Sequence, residues 1–563
     1  GPLSSTLSAR LAVRVSNMSG GYFHNRATPI AIPIFDIATG DVTSHVQQPN
    51  RGGQPGTNER LVRGTLKWTP DSRLTATLKV SAVRTSDESN SWNYVPFACP
   101  SGFTQPNPDV ACKRNFDVYV PNAPEGVAGS FAGQKKDGSP YNLYRSFGTT
   151  GTINYAADDV TITSVSNYNW HRNKWGLGQN VHSATTFISA TENTSLGAFS
   201  NETRVQTTYD GPLNMMVGGY YQKSKRNYHQ YDAFATLEDS SQPADLRYLS
   251  VIKSSKTKGE TVAAFGQVTW KVIPQVELGA GIRYTHETKN SYLVQPYVNG
   301  ALTGLILQNV TFAADQTFNN WSPEATITWK PSDDITVYGA YKTGYKSGGF
   351  SNGSTITATS LPSDVAFNPE KVSGFEGGVK TTLFDNQLRF NVGLYSYKYK
   401  NLQVDYFNSI SFQFITTNAG SVTTKGVELE AEFAPRAIDG LTLRGSLNYN
   451  KARYGNYIAP CYGGQSIAAG CDTVFQGGLG QDLGGRPTAI APNWTGSLGG
   501  DFEQPIGSGL VIGGSVDTRY SSKYFGSSFA VPLSLQKSYV NLDASLRLRT
   551  EDERWELAVI GRN

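Results

Sequence analysis

Apolar and polar positions alternate along most of this chain with a period of two, as in strands that carry one apolar and one polar face. Leu441, Leu443, Leu447 and Tyr449 share one face of a segment whose other face holds Thr442, Arg444, Ser446 and Asn448. Just upstream, Val427, Leu429, Ala431 and Phe433 alternate with Glu428, Glu430 and Glu432. Beyond a turn at Thr550 to Glu553, Leu546 and Leu548 continue as Trp555 and Leu557, which sets Arg547 opposite Glu556. The unit of roughly ten alternating residues and a turn recurs and predicts about nineteen strands. No run approaches the roughly 18 consecutive apolar residues of a membrane-spanning helix.

The predicted connections fall into two populations. Short turns are Pro70-Asp71, Asp158-Asp159, Asp210 to Pro212, Ile273-Pro274, Pro331 to Asp334, Asp385-Asn386, Pro435 to Gly440, Pro505 to Gly509 and Thr550 to Glu553. Long connections intervene, roughly 40 residues around 18 to 58, roughly 55 around 86 to 141 and roughly 40 around 454 to 493. Strict alternation of short and long trims one end of a sheet and elaborates the other, as in transmembrane β-barrels with short periplasmic turns and long extracellular loops. Trp68, Tyr155, Tyr209, Trp270, Trp329, Phe384, Phe433 and Phe502 stand beside the short turns. Strand propensity alone would scatter such residues, whereas a bilayer interface collects them at one level. A propeller or β-helix would show a fixed blade or coil repeat, and none is visible.

Composition sharpens this picture. Charged residues make up 17% of the 563, below the soluble average of about 25%, and Gly (58) and Tyr (30) are abundant. The net charge of +4 is spread along the chain, which excludes a dedicated nucleic-acid surface. Four cysteines form two close pairs, Cys99 with Cys112 and Cys461 with Cys471, in loop-like stretches that suit local disulfides in an oxidising compartment. The chain opens at Gly1 without a basic n-region and apolar core, so no signal peptide is read.

Three segments resemble TonB-dependent outer-membrane receptors. They are Ile335 to Phe350 (ITVYGAYKTGYKSGGF), Phe367 to Lys380 (FNPEKVSGFEGGVK) with its turn at Phe384 to Asn386, and Thr417 to Glu430 (TNAGSVTTKGVELE). The resemblance implies an all-β transmembrane antiparallel barrel of about 22 strands when complete, about nineteen of them readable here. It also implies an N-terminal plug inside the barrel, a TonB box and energy from the inner-membrane TonB complex. Neither plug nor TonB box is visible in 1–563, so the chain is expected to be the barrel portion, missing two strands before Gly1 and one after Asn563. The expected partners are outer-membrane lipid, the TonB complex through the plug, and an extracellular nutrient. By resemblance that nutrient is a ferric siderophore, with cobalamin, saccharides and small aromatics as other cargoes of the family. A passive porin and a structural or adhesive barrel are the readings from other classes.

Catalysis is not expected. No HExxH, P-loop, GxSxG or CxxC occurs, His286-Glu287 lacks a second His, and Gly478 to Gly480 is a loop fragment rather than a nucleotide motif. No cofactor or metal site is read, and His171 and His229 read as solvated loop histidines. The row Glu428, Glu430 and Glu432 reads as lumen lining paired with Arg444. Lumen-facing positions are predicted at Glu277, Arg283, Glu376, Lys380, Glu428, Glu430, Arg444, Arg519 and Arg547. Loop aromatics that can stack on a ligand are Trp92, Tyr94, Phe97, Trp170, Trp175, Phe350, Tyr406 and Phe407, with His171 beside them.

Overall fold

The computed structural model describes residues 1–563 apart from 89–98, 100, 105–106, 179–187, 235, 409–412 and 476–477, with backbone alone at 178, 406–408 and 413–414. Among the described residues, nineteen strands form one antiparallel sheet. In chain order they are β1 (Leu7–Met18), β2 (Thr57–Trp68), β3 (Leu74–Asp87), β4 (Tyr141–Ala157), β5 (Val160–Gly178) and β6 (Ser189–Thr207). There follow β7 (Leu213–Ala233), β8 (Val251–Ile273), β9 (Val276–Val298), β10 (Thr311–Ser332), β11 (Ile335–Lys346), β12 (Glu370–Leu383) and β13 (Leu388–Asn408). The last are β14 (Gln413–Phe433), β15 (Leu441–Tyr454), β16 (Trp494–Gly507), β17 (Leu510–Ser521), β18 (Tyr539–Thr550) and β19 (Glu556–Arg562).

Each strand pairs with the next in sequence, so the wall is a meander of hairpins. The turns at one end are tight enough to need left-handed backbone: Phe384, Asp385 and Asn386 have φ of 55°, 53° and 68°. The strands are longer than the ten-residue unit, reaching 23 residues in β8 and β9. That length corrects one reading: Trp170, His171 and Trp175 lie within β5 and not on a loop. A second correction is one of register. Arg549, not Arg547, stands opposite Glu556, and Arg547 faces Ala558.

Alternation sorts the wall into two faces. Leu213, Met215 and Val217 on β7, Val268 and Trp270 on β8, and Ile327 and Trp329 on β10 are large apolar side chains left exposed. Such a continuous apolar exterior is tolerated where lipid covers it. All eight aromatics at the short turns are at least 37% exposed, consistent with an interfacial girdle.

A second girdle lies further up the strands. Phe147 is eight residues from Tyr155, Trp321 eight from Trp329 and Trp494 eight from Phe502, about 20 Å of wall at the usual rise and tilt. Here rings pair across strands: Tyr284 with Trp321 at 4.7 Å, Tyr341 with Phe375 at 5.0 Å and Tyr449 with Trp494 at 4.7 Å between centroids. Each pair is directly opposite in register, the arrangement in which cross-strand aromatics contribute roughly 0.2–1 kcal/mol.

Packed apolar cores sit beyond this upper girdle, in the long loops and the strand ends that carry them. One joins Ile32, Ile34, Ala123, Val127, Phe131, Leu249 and Tyr297; another joins Val404, Ala419, Tyr454, Tyr457, Leu483 and Phe529. Small sheets tie loops together across long stretches of sequence. Leu237–Glu238 pairs in parallel with Ile30–Asp36, which also pairs with Val42–Gln47.

Candidate functional site: the lumen and the extracellular cap

The polar face of the wall gathers the predicted lumen residues, all of which fall on the face opposite the exposed apolar side chains. Glu376 on β12 is the best connected. The Lys342 ammonium lies 2.5 Å from its Oε1, and the Tyr397 hydroxyl donates to Oε2 at 2.7 Å. Lys380, four residues along the same face of β12, lies over the Tyr338 ring at 5.7 Å. The Arg283 guanidinium on β9 sits between two rings, 5.3 Å from the centre of Tyr220 and 5.4 Å from that of Phe265. Such stacking desolvates a cation at modest cost because the ring faces are electron-rich.

Arg444 corrects the expected pairing with the glutamate row. It is in register with Glu432, but its guanidinium reaches the other way, to Asp501 on β16 and to Asp517 on β17, the latter at 2.8 Å. Gly499 makes that reach possible. It lies between Arg444 and Asp517 in register, and a Cβ there would collide with the Asp517 carboxylate and come within 3.0 Å of Arg444 Nε. Among the described residues, Glu376 and Arg444 are the predicted lumen residues engaged in ion pairs. Glu277, Glu428, Glu430, Arg519 and Arg547 line the same face. A surface with this many charges of both signs requires water or a polar filling, because buried charge must be hydrated or paired.

At the outer mouth burial deepens. Lys253, with 4% of its side chain exposed, is 3.2 Å from Asp232 Oδ2. It also donates to Gln230 Oε1 at 3.3 Å and to the Gly353 carbonyl at 3.4 Å, which fixes the loop between β11 and β12 to the wall. Burial raises the Asp232 carboxyl above the usual carboxylate range, with Lys253 pulling against it. Burial likewise raises Glu192, whose carboxylate accepts from Thr194 Oγ1 at 2.6 Å. In the cap, Asp36 is held down at about 2 by hydrogen bonds, the largest from Ser240. It accepts from the backbone N–H of Ser240 at 3.1 Å and of Ala38 at 3.0 Å.

The aromatic ligand candidates separate. His171 faces the lumen with its ring 5.9 Å from Tyr144, and Trp175 shares that face next to Glu192 in register. Trp170 points to the opposite, lipid side, between Phe147 and Gly197. Phe350 is 6% exposed and packs with Leu293, Phe312, Ile356 and Val365, so it holds the loop together. Tyr406 and Phe407 belong to the end of β13, opposite Ile415 and Phe414. Trp92, Tyr94 and Phe97 lie outside the described residues. Cys99–Cys112 and Cys461–Cys471 are disulfides, with Cα atoms 6.0 and 5.6 Å apart. Among the described residues no group of three or more His, Cys, Asp or Glu is placed to hold a metal ion.

Comparison with known proteins accounts for this architecture. The pesticin receptor of Yersinia enterocolitica is 27% identical over 354 residues, covering 60% of this chain and 47% of the relative, so the chain spans about half of that protein. The ferric yersiniabactin uptake receptor FyuA from Yersinia pestis superposes with a TM-score of 0.69 at 15% identity, over 100% of this chain and 71% of that one. The siderophore receptor PiuA from Acinetobacter baumannii gives 0.67 at 15%, over 100% and 73%. These likenesses concern the fold. The family model for the TonB dependent receptor-like β-barrel matches residues 100–563, and with the nineteen-strand wall, its two girdles and its charged lumen the chain belongs to that family of outer-membrane barrels.

Proposed function

We propose that this chain is the barrel of a receptor that imports a ferric siderophore-type iron complex across the outer membrane, energised by the TonB complex through a plug domain seated in the lumen. The observation that carries the reading is the asymmetry of the wall. One end is trimmed to tight turns, while the other builds packed loop cores around the mouth of a charged lumen. Such a mouth suits capture of a bulky solute, and a lumen of this polarity suits a polar plug better than a dry core. His171 and Trp175, inward at the mouth, are the ligand-contact candidates. The siderophore receptors among the structural neighbours support the cargo class.

The test joins uptake to conductance. A strain lacking the gene should lose uptake of at least one radiolabelled ferric catecholate, hydroxamate or mixed-ligand siderophore, and loss of TonB should have the same effect. Intact protein in a planar bilayer should be closed, and a deletion of the plug should leak. Unchanged iron uptake with loss of a different solute would overturn the cargo class. A large steady conductance of the intact protein would overturn the receptor reading in favour of a passive porin.

A further inference from the structure

The outward face just above the upper girdle carries a row of cations. On β2, β3, β4 and β5, Arg60 stands directly opposite Arg84, Arg84 opposite Arg145, and Arg145 opposite Arg172. Four arginines thus lie in one row across four adjacent strands, whose backbones run about 5 Å apart. Like charges directly opposite on neighbouring strands are destabilising. No carboxylate relieves them: these four arginines form no ion pair among the described residues, and the outward positions of the four strands carry no Asp or Glu. Lys174, two positions above Arg172 on the same face, adds a fifth cation. Burial lowers its ammonium, and Arg172 and Arg145 push it the same way.

The level of this row is as informative as its charge. One outward position below it runs Val62, Ala82, Phe147 and Trp170, again in direct register. Arginine therefore meets apolar and aromatic wall along a line, at the height where acyl chains give way to headgroups. Arg172 is already oriented, since its Nε donates to Asn193 Oδ1 at 2.7 Å, and among the described residues its terminal nitrogens have no hydrogen-bond partner. The belt continues with shorter like-charge contacts, Lys225 opposite Lys258, Lys371 opposite Lys400 and Lys425 opposite Lys451.

We propose that the outward face of β2 to β5 is a docking site for a phosphorylated lipid headgroup of the outer leaflet, with Arg60, Arg84, Arg145 and Arg172 as phosphate ligands and Phe147 and Trp170 against the upper acyl chains. Arginine suits this task because its planar fork takes two phosphate oxygens at once. The site depends on outer-membrane placement and is independent of the imported cargo.

The test uses the full-length protein purified from outer membranes and exchanged into a neutral detergent. Bisphosphorylated lipid A, its enzymatically dephosphorylated form and inorganic phosphate are compared by native mass spectrometry. Bisphosphorylated lipid A should bind, dephosphorylated lipid A should bind far more weakly, and millimolar inorganic phosphate should not displace the lipid. The variant R84Q/R145Q should lose about 30-fold in affinity, while R84K/R145K retains most of it. Equal binding of the two lipids by the wild-type protein, or an unchanged R84Q/R145Q, would overturn the proposal. Full displacement by inorganic phosphate would assign the row to a free anion instead. If R84Q/R145Q does not fold, the wild-type comparison of the two lipids decides the matter alone.

Discussion

Replacing Lys253 with Met removes one charge of the Lys253–Asp232 pair and keeps the apolar stem. At 3.2 Å and an effective dielectric near 20, the attraction lost is about 5 kcal/mol, and what remains is a buried carboxylate without a counter-ion. Stranding one partner of a buried pair typically costs about 3–5 kcal/mol. Lys253 also anchors Gly353, so the cost should appear as opening of the loop between β11 and β12. Two amides report on it: Ser351, which donates to the Val365 carbonyl at 2.6 Å, and Ile356, which donates to Gln295 Oε1 at 2.8 Å. Their hydrogen exchange in K253M should quicken about 100-fold or more. The effect should depend on pH. Burial already raises the Asp232 carboxyl, so the folded state keeps its proton to a higher pH than the unfolded chain. Stability contributed this way falls as pH rises through that window, and without Lys253 the window extends upward. The deficit of K253M should therefore shrink as pH falls and the lone carboxyl becomes neutral. The double variant K253M/D232L removes both charges and should recover most of the protection. Exchange unchanged in K253M, or a double variant as open as the single one, would refute the reasoning.

The remaining expectations concern wall, lumen and loops. Arginine at Ala325, midway between Trp329 and Trp321 on the lipid face, should lower folding stability by about 2–4 kcal/mol in reversible refolding into bilayers, against about 0–1 for W321R at the interface. Gly499→Val should obstruct the Arg444–Asp517 contact and cost about 1–3 kcal/mol, mostly from overpacking because the half-exposed ion pair is itself worth little; thermal melting against G499V/R444S separates the two contributions. Replacing Cys461 and Cys471 by Ser should cost about 3 kcal/mol of loop stability, read as faster proteolysis between residues 456 and 484 with the wall unaffected. Single cysteines at Asp71, Asp159, Asp334 or Asn386 should escape an impermeant thiol reagent in intact cells, while loop positions such as Ala469 react.

The strands, their number and the lower girdle are legible because each is a local pattern: alternation within a segment, and an aromatic beside a turn. What escapes is whatever depends on register. The upper girdle consists of residues in mid-strand, such as Trp321 and Phe375, that gain meaning only when Tyr284 and Tyr341 are set opposite them. The same holds for Arg444, whose sequence neighbours point to the glutamates of β14 while its partners lie on β16 and β17. Strand length escapes the sequence for a physical reason. A bilayer needs about ten residues, and nothing local marks where a strand leaves lipid and continues in water, which is why Trp170 to Trp175 read as a loop. Among the ligand candidates, Phe350 shows that an aromatic on a long loop can be the loop's own core.

The 23-residue strands β8 and β9 have a consequence for reach. At about 3.3 Å per residue and a tilt near 40°, they climb close to 60 Å, of which the hydrocarbon layer takes about 25 Å. The loops carried on β8 and β9 therefore form a turret on one side of the mouth, held roughly 30 Å clear of the hydrocarbon layer on a stiff hydrogen-bonded shaft, while 12-residue strands such as β1, β2 and β17 end close to the bilayer. A solute approaching the cell meets this raised side of the mouth well before it meets the bilayer, and so does any antibody, phage tail or toxin.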